Sequence, residues 1–449
     1  MTILEDAPAL DDPRKVLDEA PMSGAQIAAI IVATLLCALD GYDVLAVSFA
    51  APGISQAWGI DKAALGLVLS SGLVGAAVGS LLIAPFGDVI GRRRMVIITL
   101  LLMAVGMLMC AFSGTVVELA AWRVLTGIGI GAMVPIILPL AAEFSNKRYR
   151  ALAIGLVSIG YPAGGALGGL MAAMLLRWFG WEAVFLAGAL ISFAILPIVL
   201  RWLPEPLAFL LERRDDRTLV RVNALLRRCG QAAVASLPPL SEHTHSPYRE
   251  IFLPSQRLRT IHVAAINLLF ILTAYYMLGW LPQLVADMGF TPSIATLISS
   301  LASLVGGVSC ILVGVLAPRI GIIALVSGLA IGLGVTVAVF GYLPGALPVL
   351  AGAAVLIGLC LYGGTVAVYT IVIDAFDARM RATGVGFVMG LGRISGACAP
   401  AIAGGLFSVG IGRGEVGVLM GATAVMAGML ALLARRGRSA DTATVVVER

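Results

Sequence analysis

The chain has 449 residues, of which 60% are hydrophobic and only 12% charged, and its mean hydropathy is +1.01. No soluble core needs so much apolar surface, so this composition excludes a soluble protein and indicates one that crosses a membrane many times. The net charge of +5 does not indicate a nucleic acid partner, because the basic residues are spread over alternate loops, a distribution typical of membrane proteins.

Apolar runs separated by helix breakers predict twelve membrane-spanning helices, numbered here as spans 1 to 12. They cover residues 25–51, 63–85, 95–113, 117–142, 151–176, 182–203, 261–286, 294–317, 322–341, 347–373, 383–409 and 416–434. About 20 apolar residues at ~1.5 Å per residue cross the hydrocarbon core of a bilayer. The predicted fold class is therefore all-α and integral to the membrane, with twelve transmembrane helices.

The loops between the spans differ sharply in charge. Every second loop is basic: Arg92–Arg94, Lys147–Arg150, the segment 213–259, Arg379 with Arg381, and Arg435–Arg438. The other loops carry essentially only Lys62, Arg177 and Arg413. By the positive-inside rule both termini are predicted to be cytoplasmic, in a multi-pass protein of the cell inner membrane. The acidic residues before span 1 have the wrong charge for a signal peptide and are interpreted as a cytoplasmic tail.

Two carboxylates, Asp40 and Asp43, lie near the middle of span 1. An ionised Asp at that depth costs about 2.5 to 3.5 kcal/mol on insertion scales, so such residues usually have a function. A spacing of three places both on one helix face, where burial and mutual repulsion disfavour two charges. At least one is expected to bind and release a proton near neutral pH. The alternative is a static ion pair that only holds helices together.

Span 4 contains Arg123 at the start of Arg-x-x-x-Gly127-x-x-x-Gly131. Glycines four residues apart allow close helix packing in a membrane. An arginine at this depth needs a partner, and either acid of span 1 can supply it if spans 1 and 4 pack together. A salt bridge with a purely structural role remains the alternative.

The long polar segment Pro204–Thr260 divides the chain into halves. The predicted organisation is a cytoplasmic tail (1–24), a six-helix bundle (25–203), a central cytoplasmic loop (204–260), a second six-helix bundle (261–434) and a C-terminal tail (435–449). In the loop, residues 217–228 alternate apolar and basic and are interpreted as an amphipathic helix on anionic lipid. His243 and His245 lack further ligands, so neither a metal nor a cofactor is expected.

An internal repeat supports the two halves. Glu143–Ala151 followed by Gly155 matches Asp374–Ala382 followed by Gly386, and the offset, 386 − 155, is 231. Residues 84–91 match 314–321 more weakly at an offset of 230. Parallel repeats of this kind place a substrate site at the interface of the halves, near the midplane, reached from each side in turn.

The second half carries the candidate substrate residues. Arg393 lies about ten residues into span 11, and its planar guanidinium suits a carboxylate; helix pairing is the alternative. Arg381 lies at the edge of the same span, where a gate contact is favoured. Intramembrane tyrosines can stack on an aromatic ligand, although most only pack or lie at the interface. The candidates for substrate binding are Arg393, Tyr42, Tyr276, Tyr362 and Tyr369.

The stretch from Ala84 to Arg93 resembles the loop motif of the major facilitator superfamily, Gly-x-x-x-Asp-x-x-Gly-Arg-Arg, with Ala84 in place of the leading glycine. Gly91 permits a tight turn, and Asp88 can pair with an arginine or a helix N-terminus to make a latch that opens in one conformation. Pro318 replaces the acid in the second half, so no latch is expected there.

Three stretches resemble more narrowly the aromatic acid:proton symporter family of that superfamily: Asp40-Gly-Tyr-Asp43, Asp374–Gly386 and Gly392-Arg393-Ile-Ser-Gly396. The resemblance covers essentially all twelve spans. It implies the major facilitator fold of two six-helix bundles, import of benzoate-like acids, and roles for six residues. These are Asp40, Asp43, Arg123, Glu143, Arg381 and Arg393.

The resulting hypothesis is a monomeric secondary transporter that carries protons together with an aromatic acid anion by alternating access across the bilayer. Proton coupling is assigned to Asp40, Asp43 and Arg123. Gating is assigned to Asp88, Gly91, Arg92, Arg93, Glu143, Asp374 and Arg381.

Other classes fit less well. A symporter for another organic anion, such as a sugar acid or a dicarboxylate, is the nearest alternative. A membrane enzyme is disfavoured because clustered His or Cys ligands and a nucleophile motif are lacking. An ATP-driven pump is disfavoured because none of the three lysines lies in a P-loop.

Overall fold

The computed structural model describes residues 12–212, 217–238, 248–377 and 380–447. Within these residues every regular element is a helix, and no strand is present. Twelve helices are long and apolar enough to cross a membrane, so the predicted class and span count are confirmed.

The first half contains a short leading helix, six spans and one connecting helix. They are α1 (Pro13–Glu19), α2 (Gly24–Trp58), α3 (Lys62–Val78), α4 (Phe86–Ile90), α5 (Arg92–Ala111), α6 (Val116–Glu143), α7 (Arg150–Trp178) and α8 (Glu182–Trp202). A π-helical turn, Gly79–Ile83, extends α3. Spans 1 to 6 correspond to α2, α3 and α5–α8.

The central segment and the second half follow. They are α9 (Leu207–Glu212), α10 (Thr218–Arg228), a 3₁₀ turn (Tyr248–Phe252), α11 (Pro254–Ala286), α12 (Pro292–Ile320), α13 (Ile322–Phe340), α14 (Leu347–Asp374), α15 (Arg381–Ser408) and α16 (Arg413–Val447). Span 7 begins earlier than expected, because Pro254 occupies the first helical turn, where its missing N–H is no loss. Helix α16 continues through much of the segment predicted as a tail.

Local signals explain where the first span begins and ends. The Ser23 side chain accepts a hydrogen bond from the backbone N–H of Gln26, whose own side chain accepts from the Ser23 backbone, so α2 begins at a capping box. It ends at Gly59, which has φ of +59°. Asp61 then caps α3 through the N–H of Ala64.

Glycines bring helix backbones into direct contact within each half. A Cβ at Gly127 would lie 2.0 Å from the carbonyl oxygen of Gly72, and one at Gly131 would lie 1.9 Å from that of Ala76, so α6 rests directly on α3. In the second half, a Cβ at Gly358 would lie 2.0 Å from the Ala302 carbonyl. The predicted glycine packing of span 4 is therefore observed.

The helix ends reproduce the sequence repeat. Helix α6 ends at Glu143 and α14 at Asp374, while α7 begins at Arg150 and α15 at Arg381. Both pairs differ by 231, the offset found between the matching loops.

The end of the molecule that carries Arg92 and Arg150 is called here the basic face, and the end where α3 begins is called the opposite face. The two halves meet mainly through α3 against α15 and α7 against α12. At the opposite face, Lys62 Nζ lies 2.6 Å from Asp287 Oδ2. Deeper in, Ser293 Oγ donates to the carbonyl of Ala173 at 2.7 Å.

Helix α10 does not lie on lipid as its amphipathic pattern suggested. Its apolar side chains, Val222, Leu225 and Leu226, are buried in the same core as Leu17 of α1. Arg228 also donates to the carbonyl of Arg201, at the end of α8, at 2.7 Å. The apolar face of α10 therefore packs against protein surface formed by α1 and the first half.

Candidate functional site

The first half holds a buried ion pair between α2 and α6. Arg123 Nη1 lies 2.6 Å from Asp43 Oδ1, and Nη2 donates to the Asp43 backbone carbonyl at 3.2 Å. Both side chains are about 2% exposed or less. Gly72 makes room for the pair, because a Cβ there would lie 2.8 Å from Arg123 Nη2. Of the two acids that the sequence offered to Arg123, the structure pairs it with Asp43.

Asp40 lies one turn away on the same helix and has a different environment. It is 3% exposed, and its Oδ1 has no hydrogen-bond partner among the described residues. The charged group that acts on it favourably is Arg393, on the other half of the molecule. A buried carboxylate oxygen without a partner is costly, so Asp40 is poised either to hold a proton or to meet a cation.

Arg393 on α15 lies where the halves meet. Its side chain is half-buried, and Nη1 donates to the carbonyl of Ala76 on α3 at 3.5 Å, a long hydrogen bond. No acidic side chain among the described residues lies within 4.0 Å of it. Because a guanidinium has five N–H donors, most of its capacity remains for an anion.

Four tyrosines lie near one another at the interface, two of them within electrostatic range of this arginine, and are called here the tyrosine group: Tyr161, Tyr275, Tyr362 and Tyr369. The rings of Tyr161 and Tyr362 have centroids 6.5 Å apart at 56°. Tyr275 and Tyr369 lie within electrostatic range of Arg393. Tyr161 lies within the same range of the other three and of Asp40. The interface therefore presents aromatic faces next to one cation.

Two of the tyrosines predicted to bind substrate lie elsewhere. The Tyr42 hydroxyl donates to the carbonyl of Val184 at 2.5 Å, and its ring packs between Gly168 and Gly188 inside the first half. Tyr276 is 1% exposed within a core cluster. Successive residues on a helix point about 100° apart. The Tyr42 side chain therefore points into the first half and not in the direction of its neighbour Gly41.

The sequence interpretation missed Tyr161 and Tyr275 as site residues. Tyr161 was not among the candidates. In the structure, Tyr275 lies one turn before Gly279, where a Cβ would lie 4.0 Å from the Leu69 side chain of the first half. Tyr275, and not its neighbour Tyr276, therefore lies on the face of α11 that meets the other half.

Glycines on both sides of Arg393 set its position. Asn267 of α11 donates from Nδ2 to the carbonyl of Val388 at 2.9 Å. A Cβ at Gly392 would lie 2.4 Å from that Nδ2, and a Cβ at Gly396 would lie 2.9 Å from the Tyr275 ring. The Gly-Arg-Ile-Ser-Gly stretch thus lets α11 side chains press against α15 and hold the arginine in register.

A polar cluster at the basic face joins three helices of the first half. Arg92 forms an ion pair with Glu143 at the end of α6. The backbone N–H of Arg93 donates to Glu205 Oε1 at 3.1 Å, next to Gly91, whose φ is +114°. Burial raises the pKa of the Glu205 carboxyl. Asp88 lies in α4, but its side chain falls outside the described part of the structure.

The gating candidates of the second half make contacts within that half. The backbone carbonyl of Asp374 accepts from Arg259 Nη2 at 2.9 Å. Arg381 is exposed, and its Nε donates to the carbonyl of Phe376 at 3.4 Å. His243 and His245 lie outside the described residues, within which no three His, Cys, Asp or Glu side chains converge on a possible metal position.

Comparison with known proteins gives a consistent result. The family model of the Major Facilitator Superfamily matches residues 31–400. A gallate transporter from Pseudomonas putida is 32% identical over 434 residues, 95% of this chain and 96% of that protein. A 4-hydroxybenzoate transporter from Pseudomonas aeruginosa is 29% identical over 85% of this chain and 86% of that protein.

The fold has solved counterparts as well. The crystal structure of a mutant of the nucleoside transporter NupG superposes with a TM-score of 0.71 at 13% identity, covering 91% of this chain and 99% of that one. The expected resemblance to transporters of aromatic acids is confirmed, and the chain is a membrane transporter and not an enzyme. It belongs to the Major Facilitator Superfamily.

Proposed function

We propose that this protein imports an aromatic carboxylate together with protons by alternating access. The observation that carries the proposal is the placement of Arg393, which forms no salt bridge among the described residues and lies within electrostatic range of Asp40, Tyr275 and Tyr369. An arginine near the centre of a membrane helix costs about 2.5–3.5 kcal/mol, so it is expected to bind a ligand.

Arg393 is the anchor for the substrate carboxylate. Its fork of N–H donors matches the two oxygens of a carboxylate, and such charge-assisted pairs are about twice as strong as neutral hydrogen bonds. The rings of Tyr161, Tyr275 and Tyr369 provide faces and edges on which an aromatic ring can stack. This lining favours a benzoate-like acid over a sugar acid or a dicarboxylate, which would need a denser set of hydrogen-bonding groups.

Asp40 is the proton carrier, and Asp43 with Arg123 is its fixed neighbour. An ionised Asp40 attracts the Arg393 charge and competes with the substrate carboxylate. A protonated Asp40 leaves Arg393 to the anion, so proton uptake and substrate binding favour one another. Asp43 stays in its ion pair with Arg123, where it adds a negative charge close to Asp40.

The stoichiometry decides which gradient drives uptake. One proton moving with one monoanion carries no net charge, so only the pH gradient counts. A second proton would add about 2.3 kcal/mol per 100 mV, roughly fiftyfold more accumulation.

The orientation follows from charge. We place the basic face, with both termini, in the cytoplasm and the protein in the cell inner membrane, because positively charged loops are retained on that side. The Arg92–Glu143 pair and the Lys62–Asp287 pair then lie at the inner and outer ends of the path. We assign gating at the inner end to Gly91, Arg93 and Glu205 around the first pair.

Uptake by purified protein in proteoliposomes tests this function. Labelled 4-hydroxybenzoate should accumulate above its outside concentration when the outside is acidic, and a protonophore should abolish the accumulation. Gluconate and succinate in excess should compete poorly, while gallate competes well. Equal uptake with and without the pH gradient would overturn proton coupling. Strong competition by gluconate alone would favour the sugar-acid alternative.

A further inference from the structure

A pocket is lined in part by Tyr362 of the tyrosine group. Its lining is mostly apolar and comes from α2, α11, α12 and α14: Leu45, Met277, Leu278, Leu281, Ala302, Ile357 and Leu361. Three hydroxyls interrupt this lining, those of Ser299, Ser303 and Tyr362. An apolar pocket with a few converging polar groups is the usual form of a small-molecule site.

One of the three hydroxyls lacks a partner. Ser299 is 8% exposed, and its Oγ has no hydrogen-bond partner among the described residues. Ser303 Oγ lies 3.0 Å from the Tyr362 hydroxyl oxygen and donates to the backbone carbonyl of Ser299 at 3.3 Å. Both protons of this hydroxyl pair are therefore used, and the pair keeps only acceptor capacity. Leaving a buried hydroxyl unpaired costs free energy, which a ligand hydroxyl in this pocket would recover.

The pocket continues the site around Arg393. Tyr362 lines the pocket, and its ring contacts Tyr161 of the tyrosine group. Tyr161 in turn lies within electrostatic range of Tyr275 and Tyr369, and both of these lie within range of Arg393. One set of tyrosines therefore connects the pocket with the arginine.

We propose that Ser299, Ser303 and Tyr362 form a subsite for a ring hydroxyl, which makes the carrier selective for hydroxylated aromatic acids over unsubstituted benzoate. The inference rests on the proposed function and narrows its substrate class. The carboxylate binds Arg393, and the opposite edge of the ring enters the apolar pocket with its hydroxyl among the three protein hydroxyls.

Selectivity follows from what each ligand leaves unpaired. A phenolic hydroxyl both donates and accepts, so it accepts from Ser299 and donates to a free acceptor site of Ser303 or Tyr362. Benzoate would seal the Ser299 hydroxyl behind a C–H edge with no partner. Sites built to hydrogen-bond a hydroxyl reject analogues that lack it for this reason.

The first test uses the unaltered protein and a substrate series. Dissociation constants for 4-hydroxybenzoate, 4-fluorobenzoate and benzoate are measured on purified protein in detergent. The hydroxylated acid should bind at least about fivefold more tightly than the other two, as expected for one or two net hydrogen bonds. Equal affinity for the three acids would overturn the subsite.

The second test removes the hydroxyls one at a time. Ser299→Ala, Ser303→Ala and Tyr362→Phe should each reduce the preference for 4-hydroxybenzoate over benzoate by about 2- to 12-fold, with benzoate affinity unchanged or improved. Ser309→Ala is the matched control: Ser309 also joins α12 to α14, through the Leu359 carbonyl, but lies outside the pocket. It should leave the preference unchanged.

The outcomes separate the two proposals. If the variants keep the full preference while both acids are still bound and accumulated, the subsite is wrong and the proposed function stands. If the unaltered protein binds no aromatic acid, the proposed function fails and the subsite falls with it. An equal loss of preference in Ser309→Ala would also overturn the subsite, because looser packing of α12 on α14 would then explain the result.

Discussion

The two six-helix halves share an architecture but hold their polar groups in different ways. The first half pairs its charges within the bundle, as the buried Asp43 does with Arg123 and the partly exposed Glu143 with Arg92. The second half turns Arg393 and three tyrosines toward the interface. Two similar scaffolds therefore differ in that one pairs its charges internally and the other presents a cation where the halves meet. Asp40 is the exception, since it lies in the first half and faces the second.

Removing the acid of the internal pair should have the largest effect. Asp43→Asn leaves Arg123 buried without a counter-charge, which costs about 3–5 kcal/mol. The amount of folded protein in the membrane should fall strongly, as measured by fluorescence-detected size exclusion. The double variant Asp43→Asn with Arg123→Gln should recover much of the loss. No recovery would mean that the pair does not act as one unit.

Removing the anion anchor should affect binding more than folding. Arg393→Gln should weaken 4-hydroxybenzoate by about 30-fold or more, because truncating one partner of a buried charged pair costs about 2–5 kcal/mol. Titration of purified protein measures the affinity. Arg413→Gln is the control, since Arg413 only donates to backbone carbonyls such as that of Gly341 at the opposite face. Unchanged affinity in Arg393→Gln would place substrate recognition elsewhere.

A variant of Asp40 tests whether the charge of this residue in the first half affects transport through Arg393 in the second half. Asp40→Asn should abolish accumulation driven by a pH gradient, which amounts to about 1.4 kcal/mol or tenfold per pH unit. Exchange of labelled for unlabelled acid should persist, because the substrate site keeps Arg393. Counterflow and net uptake in the same proteoliposomes separate these steps. Uphill uptake by Asp40→Asn would contradict its role as the proton carrier.

The polar cluster at the basic face should contribute less. Glu205→Ala removes the acceptor for the first N–H groups of α5 and should cost about 1 kcal/mol, like the loss of a helix N-cap. Glu205→Gln keeps an acceptor oxygen and should cost less. Thermal unfolding in detergent measures both, and substrate affinity should stay unchanged in both. A larger loss in Glu205→Gln than in Glu205→Ala would be inconsistent with capping.

The exposed pair that joins the halves should have the smallest effect on stability. Lys62 and Asp287 are about one third exposed, so breaking the pair should cost about 0.2–1 kcal/mol. Lys62→Asp, which sets two acids against each other, should favour separation at the opposite face and raise labelling of a cysteine that replaces Ser293, whose hydroxyl contacts the first half there. Adding Asp287→Lys should reverse the increase. Equal labelling in all three proteins would show that this pair does not hold the face closed.

Much of this structure could be predicted from the sequence because membrane helices leave strong signals. The twelve apolar runs, the loop charges and the offset of 231 between the Glu143 and Asp374 loops are properties of long segments. Errors of several residues in the segment boundaries do not change them. The partner of Arg123 could not be predicted in this way, because Asp40 and Asp43 both lie on one face and only the rotation of α2 against α6 decides between them.

The composition of the site was less predictable for the same reason. A rotation of about 100° per residue separates Tyr275 from Tyr276, and the sequence does not show which of the two faces the other half. The pocket of Ser299 and Ser303 had no sequence signal, because serines in membrane helices usually bond their own backbone. Helix α10 was misplaced since an amphipathic pattern reports that an apolar face is covered, and not whether lipid or protein covers it.

The contact of Ala76 with both Gly131 and Arg393 has a consequence for variation in the chain. One peptide group of α3 touches the α6 glycine on one side and accepts from the α15 arginine on the other. A methyl group added at residue 131 would have to displace α3 toward Arg393, the proposed substrate anchor. The preference of the transporter among substrates should therefore change with substitutions deep inside the first half, at positions that no substrate contacts.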